Sequence, residues 1–119
     1  MNCIFPWQSV KTPGTTIISP NFPRNYSNDM DCELSIIFES TQRVGVKFDL
    51  FDIDEGCKDW LKIFDGNSTN GPLLGSKYCG ASKLGSVESS GNAMHLNFHS
   101  DSTVSKSGFK FNTYVIGMK

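Results

Sequence analysis

Apolar and polar side chains alternate along much of this chain, and this alternation constrains its fold more than any other feature. A period of two puts successive side chains on opposite faces of an extended backbone, as in a half-buried β-strand. The strand-like segments are 15–19, 32–38, 44–50, 60–64, 94–98 and 109–115. No segment shows convincing helical periodicity, so we predict an all-β protein.

The spacing of these segments predicts how the strands pack. Short strands separated by turns at such intervals are typical of a β-sandwich or barrel. In segment 44–50 the alternation puts Leu50 on the same face as Val46 and Phe48, which we expect to face the core. An immunoglobulin sandwich would need a cysteine pair bridging the sheets beside a tryptophan, and this chain does not supply that combination. We therefore predict a jelly-roll sandwich of two antiparallel sheets.

The four cysteines indicate two disulfide bonds and hence an extracellular protein. Cys3, Cys32, Cys57 and Cys79 are too widely spaced for the C-x-x-C pairs of a zinc site. Four cysteines allow three connectivities, and the sequence does not choose among them. We favour Cys3 with Cys32 and Cys57 with Cys79, because this pairing closes two separate loops. Each bond would stabilise the folded state by about 3 to 4 kcal/mol. The alternative is four free thiols in a cytosolic protein.

Two N-glycosylation sequons also indicate a secreted protein or the extracellular face of a cell. Asn25 begins the sequence Asn-Tyr-Ser, and Asn67 begins the sequence Asn-Ser-Thr. Both fit the acceptor pattern for N-linked glycans on exposed loops. The second sequon lies in a turn-rich stretch, where a glycan is sterically easy to accommodate.

Length and charge exclude several classes of protein. With 119 residues the chain fits one domain, which we assign to residues 1–119. Its net charge is −1, and Lys and Arg are scattered as single residues or close pairs, whereas nucleic-acid binding needs a concentrated basic face. No apolar stretch approaches the roughly 18 residues of a membrane span. The N-terminus lacks a charged region followed by an apolar core, so we expect no signal peptide and interpret Met1 as the start of an excised fragment.

Acidic residues crowd around a cysteine in the segment FDIDEGCKDWLKIFDG, residues 51–66. Carboxylates held close together repel one another and raise each other's pKa unless a cation or a basic partner offsets the charge. The segment therefore indicates a site for a hard cation, a cationic ligand or both. The alternative is a solvated loop, because acidic side chains are common on protein surfaces.

A catalytic function is the main competing hypothesis, and the histidines do not support it. His95 and His99 lie on one predicted strand, about 13 Å apart at about 3.3 Å per residue, so they cannot share a metal ion. A zinc protease would place such a pair on a helix with a glutamate between them. No G-x-S-x-G elbow is present either. We expect two exposed strand histidines and a protein that is not an enzyme.

Short motifs recur in order over nearly the whole chain. They are Cys3, Ile18-Ser19-Pro20-Asn21-Phe22-Pro23 with Tyr26, Cys32, Val46-Lys47-Phe48, Phe51-Asp52-Ile53-Asp54, Cys57, Asp59, Leu61 to Gly66, Cys79-Gly80, Ser90 to Met94, Ser100-Asp101, Gly108-Phe109 and Tyr114. In this order they resemble the CUB domain, a secreted β-sandwich module. The disulfide pattern of that family agrees with the sequential pairing favoured above.

The resemblance implies a calcium site at one end of the sandwich. Many CUB domains hold Ca²⁺ through three carboxylates, which correspond here to Asp54, Asp59 and Asp101. The backbone carbonyl of Thr103 would complete the ligand set, and Tyr26 would support it by hydrogen bonding. Ca²⁺ accepts about 6 to 8 oxygen ligands in flexible geometry, so this donor set suits it.

The chain departs from the family pattern around this site. The first ligand is usually Glu, whereas here it is Asp54, and the loop that follows is shorter. Asp59 falls two residues after Cys57, where three is common. A shorter loop can bring a shorter side chain within reach, or Glu55 can replace Asp54 as a ligand.

The resemblance also implies a function. In CUB domains of this kind, a Lys or Arg of an extracellular partner protein contacts the calcium ligands. We therefore expect a non-catalytic module whose protein binding depends on calcium and weakens with salt. The alternative is binding to glycans, or adhesion of the gamete or seminal-fluid type, without calcium.

Overall fold

The computed structural model describes residues 9–81, 84–103 and 105–117, and within these ranges it contains eight strands and no helix. The strands are β1 (Ser9–Val10), β2 (Thr16–Ile18), β3 (Asp31–Ile37), β4 (Gln42–Asp52), β5 (Trp60–Asp65), β6 (Ser86–Glu88), β7 (Ala93–His99) and β8 (Gly108–Gly117). All six predicted strands are present, and only the short edge strands β1 and β6 were not predicted. No helix in the described ranges is long and apolar enough to cross a membrane.

The strands form two four-stranded sheets, ordered β1-β3-β7-β5 and β2-β8-β4-β6. Each connection passes from one sheet to the other, so the loops gather at the two ends of the sandwich. Segment 73–78 adds two bridges to the outer side of β5. This order confirms the jelly-roll prediction. The pairing of β1 with β3 is parallel, while all other pairs of named strands are antiparallel.

A phenylalanine cluster fills the space between the sheets. The ring centroids of Phe98 and Phe109 lie 5.2 Å apart, and those of Phe48 and Phe111 lie 4.9 Å apart. These separations fall in the range where aromatic pairs attract each other beyond the effect of burial. Residues from both sheets therefore share one core, which holds the strand ends and their loops in place.

Strand β4 corrects one detail of the sequence prediction. The strand is bulged between Phe48 and Leu50, where the pairing with β8 shifts register. An extra residue reverses the alternation, so Leu50 points outward with 55% of its surface exposed. Phe51 and Ile53 face the core instead. Without the bulge, the alternation would carry Asp54 to the buried face, so the bulge keeps this carboxylate at the rim.

The structure confirms one of the two predicted disulfides. Cys57 and Cys79 are bonded, with their Cα atoms 5.2 Å apart. This bond ties the acidic turn before β5 to the segment that follows residue 78. Cys32 is buried in β3, but Cys3 lies outside the described residues, so the pairing of these two cysteines stays a prediction.

The bulge can be tested with two neighbouring substitutions. Phe51→Ala removes a buried ring, so we expect it to lower the free energy of unfolding by about 3 to 5 kcal/mol. Leu50→Ala truncates an exposed side chain, so we expect a change within about 0.5 kcal/mol. Urea denaturation of both variants measures the difference. A large loss in Leu50→Ala would show that the alternation continues through residue 50.

Candidate metal centre

The three predicted carboxylate ligands, Asp54, Asp59 and Asp101, lie on loops at one end of the sandwich. Strands β5 and β7 pair antiparallel with Trp60 opposite His99, so the start of β5 lies beside the end of β7. Asp59 directly precedes β5, and Asp101 follows β7. The sheet register therefore brings together two carboxylates that are 42 residues apart in the chain.

Asp59 occupies the centre of this end, and its side chain is fully buried. The Tyr26 hydroxyl donates a hydrogen bond of 2.6 Å to one carboxylate oxygen, and the Asp101 backbone N–H donates one of 2.8 Å to the other. Burial raises the pKa of Asp59 above its ordinary value, although both hydrogen bonds oppose the rise. Burial and the Asp59 carboxylate also raise the pKa of Tyr26, which keeps the hydroxyl protonated as a donor.

Asp54 lies at the rim, connected to Asp59 through Tyr26. Its backbone N–H donates to the Tyr26 hydroxyl at 3.3 Å. The Asp54 carbonyl accepts hydrogen bonds from the backbone N–H groups of Cys57 and Gly80 at 3.3 and 3.2 Å. One Asp54 carboxylate oxygen accepts from the Gly56 N–H at 3.1 Å. The shortened acidic loop is thus a compact turn held by the neighbouring disulfide.

Asp101 anchors the second loop of the site. Its carboxylate oxygen Oδ1 accepts from the backbone N–H of Thr103 at 3.1 Å and from the Thr103 hydroxyl at 3.4 Å. The Thr103 N–H is the main cause that lowers the pKa of Asp101 below its ordinary value. Thr103 therefore contacts the Asp101 carboxylate through two donors, its backbone N–H and its hydroxyl.

Ser100 fixes this loop in a way that the sequence analysis missed. The side chain is buried, with 1% of its surface exposed. Its hydroxyl donates to the Ser27 carbonyl at 2.7 Å and accepts from the Met30 N–H at 2.9 Å. Ser100 thus joins the loop after β7 to the segment before β3. The Ser100-Asp101 motif was the available signal, although it does not reveal which backbone groups the serine binds.

The donor set suits a hard cation, but the carboxylates do not form a ready-made cage. Asp54, Asp59 and Asp101 make no ion pair with any residue that the structure describes. Within the described ranges, no three His, Cys, Asp or Glu side chains are grouped so that they could hold a metal ion. The rim carboxylates of Asp54 and Asp101 each accept a hydrogen bond from a backbone N–H of their own turn.

Glu55, the predicted alternative ligand, lies apart from this hydrogen-bonded group. Its side chain is exposed, and its Cγ lies 4.0 Å from the position that a Cβ on Gly80 would take. Among the described residues, no hydrogen bond connects the Glu55 side chain to Tyr26 or Asp59. Glu55 thus approaches the backbone at Gly80, directly after Cys79.

The two histidines differ from the sequence expectation in one respect. His95 is buried rather than exposed, because its ring nitrogens make hydrogen bonds with Glu33 at 2.8 Å and Ser35 at 2.9 Å. His99 is half-buried and stacks on the Trp60 ring, with 5.0 Å between centroids. Both histidines therefore have cross-strand partners on the outer face of one sheet.

The two four-stranded sheets and their acidic end loops define a small jelly-roll β-sandwich domain. The family model described as the CUB domain matches residues 7–113. The chain therefore belongs to the CUB domain family, as its sequence motifs predicted. Members of this family are typically extracellular, generally non-catalytic modules for protein interaction.

Curated relatives are much longer than this chain. Human neuropilin-2 is 38% identical over 114 residues, which cover 88% of this chain and 12% of that protein. Human tolloid-like protein 1 is 37% identical over 101 residues, which cover 82% of this chain and 10% of that protein. This chain thus spans about one-eighth or less of the length of these relatives, which are extracellular or cell-surface proteins.

Solved structures show the same fold. The crystal structure of the MASP-1 CUB2 domain bound to Ca²⁺ superposes with a TM-score of 0.78 at 23% identity, covering 90% of this chain and 96% of that one. The full extracellular region of zebrafish Gpr126/Adgrg6 gives a TM-score of 0.80 at 26% identity, covering 92% of this chain and 14% of that one.

The hydrogen bonds of Tyr26 give a testable prediction. Tyr26→Phe leaves the buried Asp59 oxygen without its donor, so we expect a loss of about 1 to 3 kcal/mol in the free energy of unfolding. Tyr114→Phe is the matched control, since its hydroxyl donates to Glu88 at an exposed position, and its loss should stay within about 0.5 kcal/mol. Urea denaturation in chelator measures both. Equal losses would contradict the role assigned to Tyr26.

Proposed function

We propose that this chain is a calcium-dependent, non-catalytic module that binds extracellular proteins. Asp54, Asp59 and Asp101 supply carboxylate ligands, the Thr103 carbonyl completes the set, and Tyr26 orients Asp59. The observation that carries the proposal is the buried Asp59 carboxylate, because it connects the backbone N–H groups of Asp54 and Asp101, the first through the Tyr26 hydroxyl and the second directly. The calcium-bound MASP-1 domain supports the choice of ion.

The charge of the site supports a divalent cation and a basic partner. Three carboxylates carry three negative charges, and bound Ca²⁺ supplies two positive charges that reduce their repulsion. About one negative charge then remains on the end loops. A Lys or Arg of the partner can donate charge-assisted hydrogen bonds to the half-buried rim carboxylates of Asp54 and Asp101. Arg makes the more directional contact, because its planar guanidinium can pair with both carboxylate oxygens.

Calcium binding would require the Asp54 and Asp101 side chains at the rim to reorient. The Asp54 and Asp101 side chains accept hydrogen bonds from N–H groups only two residues further along the chain. A rotation about the side-chain bonds redirects each carboxylate inward, while the backbone bonds to Tyr26 and Asp59 hold the loops. Binding therefore orders the rim loops without rearranging the sandwich.

The relatives support a proposal for the setting of the module. Because this chain spans only 12% of neuropilin-2, we propose that residues 1–119 are a single domain excised from a larger protein. That parent protein is secreted or exposed on the extracellular face of a cell, where calcium is abundant enough to fill sites with dissociation constants of about 10⁻⁴ to 10⁻³ M.

Calorimetric titration tests the metal site. We expect the unmodified chain to bind Ca²⁺ with measurable heat and to melt at a higher temperature in millimolar calcium, because the ion binds only the folded loops. Asp101→Asn should weaken binding at least several-fold, since a neutral amide replaces a charged ligand. Asp49→Asn is the matched control, because Asp49 is exposed on β4 away from these loops. Absence of heat and of a thermal shift in the unmodified chain would refute the proposal.

A glycan array separates protein binding from the adhesion hypothesis. We expect no glycan binding that survives both calcium chelation and Asp101→Ala, because the proposed partner is a basic protein side chain. Screening the same array with and without chelator provides the measurement. Glycan binding that is unaffected by chelation and by Asp101→Ala would favour the calcium-independent adhesion module.

A further inference from the structure

The two sequons lie at opposite ends of the sandwich. Asn25 precedes Tyr26, whose hydroxyl binds Asp59 at the metal end, the end of the sandwich with the loops of Asp54, Asp59 and Asp101. Asn67 follows the far end of β5, whose six residues extend about 17 Å from Trp60. Both asparagines are exposed. Their glycans would consequently have different neighbours.

Asn25 has a specific partner for its side chain. Its amide Nδ2 donates a hydrogen bond of 3.2 Å to the Ser105 carbonyl. The next residue repeats the connection through the backbone, since the Tyr26 N–H donates to the Lys106 carbonyl at 3.0 Å. The Asn25 side chain is thereby directed along the segment 105–107, which follows Asp101 and Thr103 in the chain.

N-glycosylation is compatible with this hydrogen bond. In the transfer reaction, Asn Nδ2 forms a bond to the anomeric carbon of a sugar carried on a lipid-linked diphosphate, and the bond from that carbon to the phosphate oxygen breaks. One amide proton leaves to a base, while the lipid diphosphate departs with the bonding electron pair. The second amide proton stays on Nδ2, so the glycosylated Asn25 can still donate to Ser105.

We propose that Asn25 is glycosylated and that its remaining amide N–H holds the first sugar against segment 105–107 beside the metal end. Asn67 is glycosylated at the opposite end, where its glycan leaves this segment open. If the proposed calcium-dependent docking is correct, a partner then reaches the carboxylates from the side away from Asn25. The glycan at Asn25 thus restricts the orientation of the partner.

Mass spectrometry of chain secreted from eukaryotic cells tests occupancy. We expect two glycans on the wild-type chain and one glycan on each of the variants Ser27→Ala and Thr69→Ala. Each variant removes one sequon but keeps its asparagine. Ser27→Thr is the matched control, since it retains the acceptor pattern and should retain both glycans. An unmodified Asn25 in the secreted chain would overturn the proposal.

Acylation of lysines tests where the first sugar lies. A bulky N-hydroxysuccinimide ester should acylate Lys106 several-fold more slowly in the glycosylated wild-type chain than in Ser27→Ala, because the sugar covers segment 105–107. The rate at exposed Lys77 should be the same in both, which makes it an internal control. Equal rates at Lys106, with Asn25 glycosylated, would overturn the placement. Neither measurement involves calcium, so their outcome is independent of the metal-site test.

Discussion

The buried carboxylate of Asp59 organises the functional end of this domain. A fully buried carboxylate is costly unless its oxygens accept hydrogen bonds, and here the donors come from two distant parts of the chain, Tyr26 and the Asp101 N–H. The same tyrosine hydroxyl accepts from the Asp54 N–H. The loops therefore depend on one side chain for their relative positions, and any cation bound by the rim residues would act on loops that are already connected.

This arrangement depends in turn on the sandwich behind it. Every connection between consecutive strands crosses from one sheet to the other, so loops from separate parts of the chain lie at the same end of the sandwich. The Cys57–Cys79 bond restrains the acidic turn, and the bulge in β4 returns Phe51 and Ile53 to the core while Asp54 stays at the rim. Stability and site geometry thus share the same elements, which explains why Tyr26 is expected to affect both.

Much of the fold was predictable because strand periodicity is a local property of the sequence. The alternation located β3, β4, β7 and β8 to within a few residues. It failed at Leu50, because the bulge shifts the alternation by one residue, so that Phe51 and Ile53 face the core in place of Leu50. It also missed β1 and β6, since strands of two or three residues at a sheet edge are too short to show a period. His95 was misjudged for a related reason, because its burial depends on Glu33 and Ser35 on a neighbouring strand.

The sequence by itself determined the fold class, the family and the residue types at the candidate site, because these follow from periodicity and from ordered motifs. Only the tertiary structure decided how those residues are used. The register between β5 and β7 made Asp59 a buried acceptor beside Asp101, while local turns kept Asp54 and Asp101 at the rim with their carboxylates engaged. The physical reason is that hydrogen-bond partners and burial are set by residues far apart in the chain, whose proximity exists only after the sheets have packed.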